Sequence, residues 1–341
     1  MLLKKERVDL ITQNIGKSKI LILGDIMLDE YLFGNVNRIS PEAPVPIVEI
    51  DSDKLLLGGA ANVASNIRTL GDEPIMIGTV GADEASIKLS QLLKNCQISS
   101  EFLVTDNNRQ TTIKTRIIAN NQQIVRADRE NRHELDDTVQ NKIFSVFQSV
   151  LPEIKAVIIS DYGKGVITKP LLEKVIDACL KKGIFIAVDP KETHFYNYKK
   201  VSVITPNHHE AGFAYGRRIQ SDLDLKEVGH GLLEKLQAKS ILITRGSDGM
   251  SLFREGVEPS HIPTFARKVY DVTGAGDTVI ATFVSATCAG ADLVEAAIIA
   301  NAGAGITVGE IGTSSVTKEQ LLEELDYNIQ NGNVTASKNS E

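Results

Sequence analysis

The chain has 341 residues, with 37 Lys and Arg against 44 Asp and Glu, a formal net charge of −7, and no tryptophan. An acidic balance without a basic stripe or interleaved aromatics excludes a nucleic-acid surface. Three cysteines without paired spacing, Cys96, Cys179 and Cys288, exclude a disulfide framework and fit a reducing cytoplasm. The sequence shows no charged n-region followed by an apolar core, and Asp292 and Glu295 interrupt the most apolar window, 279–300, so a cytoplasmic protein without membrane contact is expected.

In chain order, K-I-L-I-L-G-D-I-M-L-D-E-Y (Lys19 to Tyr31) reads as a strand from Ile20 to Leu23 buried on both faces, then a turn at Gly24 and Asp25. Asp25 thus stands at a strand's carboxyl end, where open α/β sheets bind ligands. The stretch Phe33 to Glu49 carries three prolines and alternating apolar positions, so it reads as an extended ribbon. G-G-A-A-N-V-A-S-N-I-R-T-L-G (Gly58 to Gly71) opens with a glycine pair that allows close backbone approach, and the following helix carries Asn62 and Asn66 near its start. A second ribbon, Thr111 to Glu130, alternates around an Asn120-Asn121 turn.

Strands at 156–160, 184–189, 201–205 and 240–244 alternate with helical patterns at 169–182 and 224–236. That alternation predicts an α/β fold with a mostly parallel sheet and helices on both faces. No linker divides the chain, so residues 1–328 read as one domain. The ribbons at about 31–50 and 110–130 are a small β-sheet inserted into it, and the Asn-, Ser- and Lys-rich end, 329–341, reads as a disordered tail.

D-V-T-G-A-G-D-T (Asp271 to Thr278) is the most informative motif. Its glycines allow a tight turn, and the apolar run from Val279 to Ala286 reads as the helix that the turn opens. A helix N-terminus offers free amides to an anion. A carboxylate there repels phosphate, but it suits a base that takes a hydroxyl proton while the amides of Gly274, Ala275 and Gly276 hold a transferring phosphoryl group. Asp277 is the candidate base.

Together these motifs resemble the ribokinase-like carbohydrate kinases from end to end. The resemblance implies that Asp25, Gly58, Gly59, Asn62 and Asn66 lie around the sugar. It also implies that the N-H-H-E element, Asn207 and Glu210, organises magnesium and phosphate largely through water. Thr244, Gly246 and Gly249, in I-L-I-T-R-G-S-D-G-M, match positions lining ATP. Asn301 opens a run of small residues and is either a base contact or a core-packing residue. In related kinases a monovalent cation sits beside the anion hole, which would place potassium near Asp271, Thr273 and the Gly309 to Ser315 turn. The ribbons match the lid that covers the sugar and often pairs two subunits, so a homodimer through the lid is expected.

R-I-S-P-E-A-P-V-P, S-D-Y-G-K-G (Ser160 to Gly165) and V-D-P-K (Val188 to Lys191) more specifically resemble the D-glycero-β-D-manno-heptose 7-phosphate kinases. The resemblance implies phosphorylation at O1, on the way to the ADP-sugar of lipopolysaccharide core or related glycans. With the whole chain acidic, local cations must collect this anionic substrate. Lys164, Lys191, Arg126 and Arg129 stand in segments expected to face it, and Asp161 and Asp189 either bind sugar hydroxyls or hold those lysines. Nothing after Leu325 resembles the nucleotidyltransferase half fused to many of these kinases, so only the kinase step is expected. The alternatives are a kinase for a ketohexose phosphate or 2-keto-3-deoxy acid, or an idle sensing relative, though a sensor would have lost Asp277 or the glycines. A dinucleotide-binding dehydrogenase is excluded, because no G-x-G-x-x-G follows the first strand.

Overall fold

A computed structural model describes residues 3–120, 122–266, 269–310, 314–332 and 337–338. The chain opens with α1 (Lys5–Asn14) and β1 (Lys19–Gly24), then forms the long hairpin of β2 (Ile26–Ile39) and β3 (Pro46–Gly59). Next come α2 (Ala60–Thr69), β4 (Glu73–Val80), α3 (Glu84–Asn95) and β5 (Leu103–Thr105), followed by a second hairpin, β6 (Thr112–Ala119) and β7 (Gln122–Arg129). The central units are α4 (Asp137–Val150), β8 (Ala156–Ser160), α5 (Lys169–Lys182), β9 (Phe185–Asp189), β10 (Val203–Ile204), α6 (His208–Tyr215), α7 (Asp222–Leu236) and β11 (Ser240–Thr244). The chain ends through β12 (Met250–Arg254), β13 (Val257–Ile262), α8 (Ala275–Cys288), α9 (Leu293–Thr307), α10 (Lys318–Gln330) and β14 (Ser337–Lys338).

Ten strands make one sheet in the order β14-β13-β12-β11-β10-β9-β8-β1-β4-β5, parallel from β11 to β5 and antiparallel beyond β11. Alternate residues of its central strands serve opposite cores. Ile20 and Ile22 of β1, with Ile158 of β8, pack under α2, α8 and α9. Leu21, Leu23 and Ile159 pack under α4, α5 and α7. Burial on both faces explains why these strands read as unbroken apolar runs.

The helix expected at 169–182 is α5, with Thr168 capping its first turn and Gly183 ending it in the left-handed region at φ 68°. The strand expected at 201–205 pairs regularly only at Val203 and Ile204. Around them the Ser202 hydroxyl takes the Ile186 amide, and Pro206 supplies no N–H to continue the ladder. Within the segment expected to be disordered, α10 runs to Gln330, and Ser337–Lys338 add an antiparallel strand to β13.

The two hairpins join as a second sheet, β3-β2-β6-β7, in which β2 and β6 run parallel. This lid springs directly from the end of β1. The carboxyl ends of β1, β8, β9 and β11, which carry Asp25, Asp161–Gly165, Asp189–Lys191 and Thr244–Gly249, therefore open beneath it. The order of the sheet reverses at β1, between β8 and β4, which is where open α/β sheets form their ligand crevice.

Candidate active site

The D-V-T-G-A-G-D-T turn sits at the start of α8. Gly274 is the N-cap at φ 82°, which only glycine adopts freely, and it aims the first turn of the helix into the crevice. Of the three amides expected to hold the phosphoryl group, that of Ala275 is taken by Val272 O at 3.2 Å, whereas those of Gly274 and Gly276, and that of Asp277 beside them, have no backbone acceptor among the described residues. A Cβ on Gly276 would meet nothing within 4 Å, so what its bareness preserves is open space above those amides. Asp277 is 3% exposed. Its carboxylate accepts from Asn62 Nδ2 at 2.8 Å and from the Tyr162 hydroxyl at 2.7 Å. Burial pushes its carboxyl up to about 6 against the pull of those two donors, with Asp29 raising it and Lys114 lowering it. Such a group is ionised at neutral pH and still basic enough to take a proton.

Asn66, expected among the sugar ligands, instead ties α2 to α8. Its Nδ2 donates to Asn62 O at 3.0 Å, and its Oδ1 accepts from Thr278 Oγ1 at 3.1 Å. Asn62 is thereby held where it meets Asp277.

Asp25 does different work from that expected of a sugar-gripping carboxylate. It is 1% exposed, and its oxygens accept the amides of Tyr162 (2.8 Å), Lys164 (3.0 Å) and Val166 (3.1 Å). It therefore folds the S-D-Y-G-K-G loop, and so delivers the Tyr162 side chain to Asp277. Burial and the neighbouring Asp161 push its carboxyl up to about 6, while the three amides oppose them. Arg109 braces the same loop from outside, donating to Lys164 O at 2.9 Å and His133 O at 2.9 Å. Asp161 binds the loop internally through Gly163 N at 2.7 Å. Its other oxygen meets His194 Nδ1 at 2.7 Å and the Tyr198 hydroxyl at 2.6 Å. Asp161 is thus an internal brace with its hydrogen bonds already committed.

On the far side of the crevice, Asn207 and Glu210 form a reciprocal capping box at the start of α6, and Asn207 bridges to Thr244 at the end of β11. Gly246 and Gly249 hold the following turn at φ 58° and 76°. Lys191, expected near the sugar phosphate, lies beside Glu210, with Nζ 4.0 Å from Oε1. Half-buried Asp189 lies between the two sides. Desolvation, then the charges of Asp277 and Glu210, hold its carboxyl well above the ordinary range. These mutually repelling carboxylates fit a cation nearby, yet no three His, Cys, Asp or Glu converge as a metal cage among the described residues. That donor set suits magnesium carried by nucleotide phosphates and met by Asn207, Glu210 and Asp189 through water.

The lid contributes a residue the sequence reasoning missed. Asp29 of β2 is 4% exposed and pairs with Arg116 of β6 at 2.6 Å. A Cβ on Gly58 would stand 2.5 Å from Asp29 Oδ2, so the glycine pair makes room for this carboxylate. Tyr162 was missed as well, although both residues lie inside stretches singled out above. Their alternation and motif context gave no way to rank them over Asp25 and Lys164. Lys164 pairs with Glu130 at 2.5 Å, Arg126 with Asp128 at 2.9 Å, and Arg129 lies near Asp83 at the start of α3.

Asp271 Oδ1 accepts both the amide (2.9 Å) and the hydroxyl (2.7 Å) of Thr273, and the turn packs on Val308 through Tyr270 N. Part of the Gly309 to Ser315 turn, residues 311–313, lies outside the described residues. Asn301 is buried and donates to Pro263 O at 2.5 Å, which makes it a clamp between α9 and the chain after β13.

The same architecture recurs in solved structures. Phosphofructokinase-2 from Escherichia coli in complex with potassium superposes with a TM-score of 0.75 at 17% identity, covering 91% of this chain and 98% of that one. Arabidopsis thaliana ribokinase complexed with ribose and ATP gives 0.72 at 19% identity, covering 90% and 98%. At such identities the likeness concerns the fold alone. Among curated proteins, the bifunctional protein HldE of Nitratiruptor sp. is 44% identical over 307 residues, 90% of this chain and 65% of the relative. That of Geobacter sulfurreducens is 39% identical over 325 residues, 95% and 66%. The chain thus spans just under two thirds of the length of these relatives. The profile of the pfkB family carbohydrate kinases matches residues 17–320, and with the crevice, lid and D-V-T-G-A-G-D-T turn in place, the chain belongs to that family.

Proposed function

We propose that this carbohydrate kinase transfers the γ-phosphoryl group of magnesium-ATP to O1 of D-glycero-β-D-manno-heptose 7-phosphate. The observation that carries the transfer chemistry is Asp277, a buried carboxylate aimed by Asn62 and Tyr162 beside the unpaired amides of the α8 N-terminus. Asp277 takes the proton of the acceptor hydroxyl, and the Gly276 and Asp277 amides receive charge on the phosphoryl oxygens. General-base help of this kind is worth about 10²–10⁴-fold, and each lost anion-hole donor about 10²–10³-fold. ATP lies over Thr244, Gly246 and Gly249. Asn207, Glu210 and Asp189 would hold magnesium through water, and the bound ion would neutralise phosphate charge. The sugar rests between Asn62 and the lid, with Asp29 as an acceptor for its hydroxyls. Lid closure excludes water that would otherwise compete for the phosphoryl group.

The heptose assignment is supported by the R-I-S-P-E-A-P-V-P, S-D-Y-G-K-G and V-D-P-K motifs and by the local cations over an acidic chain. Potassium beside Asp271 and Thr273, and a dimer through the lid, belong to the same reading. The dimer is supported by exposed apolar residues on the ribbons, Ile39 at 61%, Val45 at 51% and Val125 at 48%.

The test is ADP release with a panel of D-glycero-D-manno-heptose 7-phosphate, fructose 6-phosphate, ribose and 2-keto-3-deoxygluconate. Strong preference for the heptose with a 1,7-bisphosphate product is expected. Preference for another acceptor keeps the kinase and removes the heptose.

A further inference from the structure

One face of the lid meets the crevice, and its charges are set in register. Along β6, Lys114 and Arg116 are two residues apart and share a face. Across the sheet, Lys114 stands between Asp29 of β2 and Asp128 of β7, and Arg116 stands between Tyr31 and Arg126. Each carboxylate flanking Lys114 is taken by an arginine. Asp29 binds Arg116 at 2.6 Å, and Asp128 binds Arg126 through two contacts of 2.9 Å. Lys114 itself, half-buried, makes no hydrogen bond or ion pair among the described residues.

Its ammonium lies 5.3 Å from the centre of the Tyr162 ring. That ring's hydroxyl binds Asp277 at 2.7 Å, so a single aromatic side chain spans from the base to this cation. Burial pulls the pKa of this ammonium below the ordinary lysine value; Lys164 and Arg126 add to the fall, while the charges of Asp29 and Asp128 oppose it. A half-buried cation without a counter-ion is costly unless a ligand supplies one. Among the described residues, Lys191 and Arg245 lie instead toward Glu210 and Asp222 on the nucleotide side.

We propose that Lys114, flanked by Lys164 and Arg126, seats a phosphomonoester carried at the far end of the acceptor sugar, and that this contact selects phosphorylated over unphosphorylated sugars. The inference rests on the heptose 7-phosphate reading. A sugar with O1 at Asp277 would lie along the Tyr162 ring and present its distal phosphate to Lys114 as the lid closes.

The test compares wild type with Lys114→Met, which keeps the stem and removes the charge, and Lys114→Arg, which restores a charge. The readout is the ratio of kcat/KM for heptose 7-phosphate to that for the unphosphorylated heptose, together with ligand-induced thermal shifts. Lys114→Met should lower the ratio about 10- to 100-fold, the size of a lost hydrogen bond to a charged group, mainly through KM, and Lys114→Arg should recover part of it. The melting shift caused by heptose 7-phosphate should shrink while that caused by ATP persists, and the unliganded protein should melt no lower than wild type. An unchanged ratio overturns the inference, as does an equal loss for both acceptors, which would place Lys114 at the transferring phosphoryl group. A lower melting point with no change in ratio would make Lys114 structural and overturn it too. If wild type itself shows no preference for a phosphorylated sugar, the heptose 7-phosphate reading fails, and the inference fails with it.

Discussion

The floor of the crevice and the lid above it are built on opposite plans. The floor rests on strands whose residues are almost wholly buried, and its polar groups are held by fixed partners: Asp25 by three amides, Asp161 by an amide, a histidine and a tyrosine. The lid has one face open to water, and every residue of β7 is exposed. Backbone ladders join its strands; buried apolar residues such as Met27, Leu28 and Leu57 lie where it meets the main sheet, and farther out charge pairs link neighbouring side chains. An element with so few buried apolar contacts opens at little cost. The contrast assigns fixed chemistry to the floor and selection and closure to the lid.

Breaking the floor at its centre gives the largest effect. Asp277→Asn should lower kcat about 10²–10⁴-fold while calorimetric ATP affinity changes by no more than a few-fold; near-normal turnover would remove Asp277 from the base role. The same variant separates chemistry from stability. Because the folded carboxyl sits near 6, above its ordinary value of 3.8, the native state binds the proton more tightly, and Asp277 weakens stability as pH rises from about 4 to about 6. Asp277→Asn should therefore melt at or above wild type at pH 8, with the gap narrowing in acid.

Asp25→Ala tests whether the floor is a scaffold. It leaves three loop amides without their acceptor, at about 1–3 kcal/mol for each one that water cannot reach. Stability and turnover should fall together. A selective rise in sugar KM with an unchanged melting point would return Asp25 to the sugar. On the lid, Arg116→Met strands the Asp29 carboxylate. It should cost less than the about 3–5 kcal/mol of a fully buried pair, because Arg116 retains 13% exposure. Sugar KM should rise while ATP KM holds, and a change confined to ATP would contradict the division between lid and floor. Smallest is Asn301→Ala, which removes the clamp to Pro263 O. A drop of about 1 kcal/mol in stability with ATP KM unchanged is expected, whereas a raised ATP KM would make Asn301 a base contact.

The same contrast explains what the sequence made legible. The floor's strands announce themselves because burial on both faces demands continuous apolar runs. α5 is readable to the residue because Thr168 and Gly183 mark its ends chemically. The lid's ribbons are visible as alternation, but their register is not. Only the pairing of Asp29 with Lys114 and of Lys114 with Asp128 shows which charges share a face. Asp25 and Asp29 lie four residues apart, and nothing in their spacing tells that one gathers amides from a loop far along the chain while the other faces the crevice. Lys191 reads as a sugar-side cation by its motif, but the loop after β9 turns it toward Glu210.

The most direct test of the central claim, a base at Asp277 tuned by Tyr162, is the pH dependence of kcat/KM from pH 5 to 8 in wild type and Tyr162→Phe. The wild-type profile should rise through an acid limb near 6. In Tyr162→Phe, losing the hydroxyl that favours the ionised carboxylate should move that limb to higher pH and lower the rate at pH 7. A profile flat across this range, or a limb that stays in place when the hydroxyl is removed, would contradict the account.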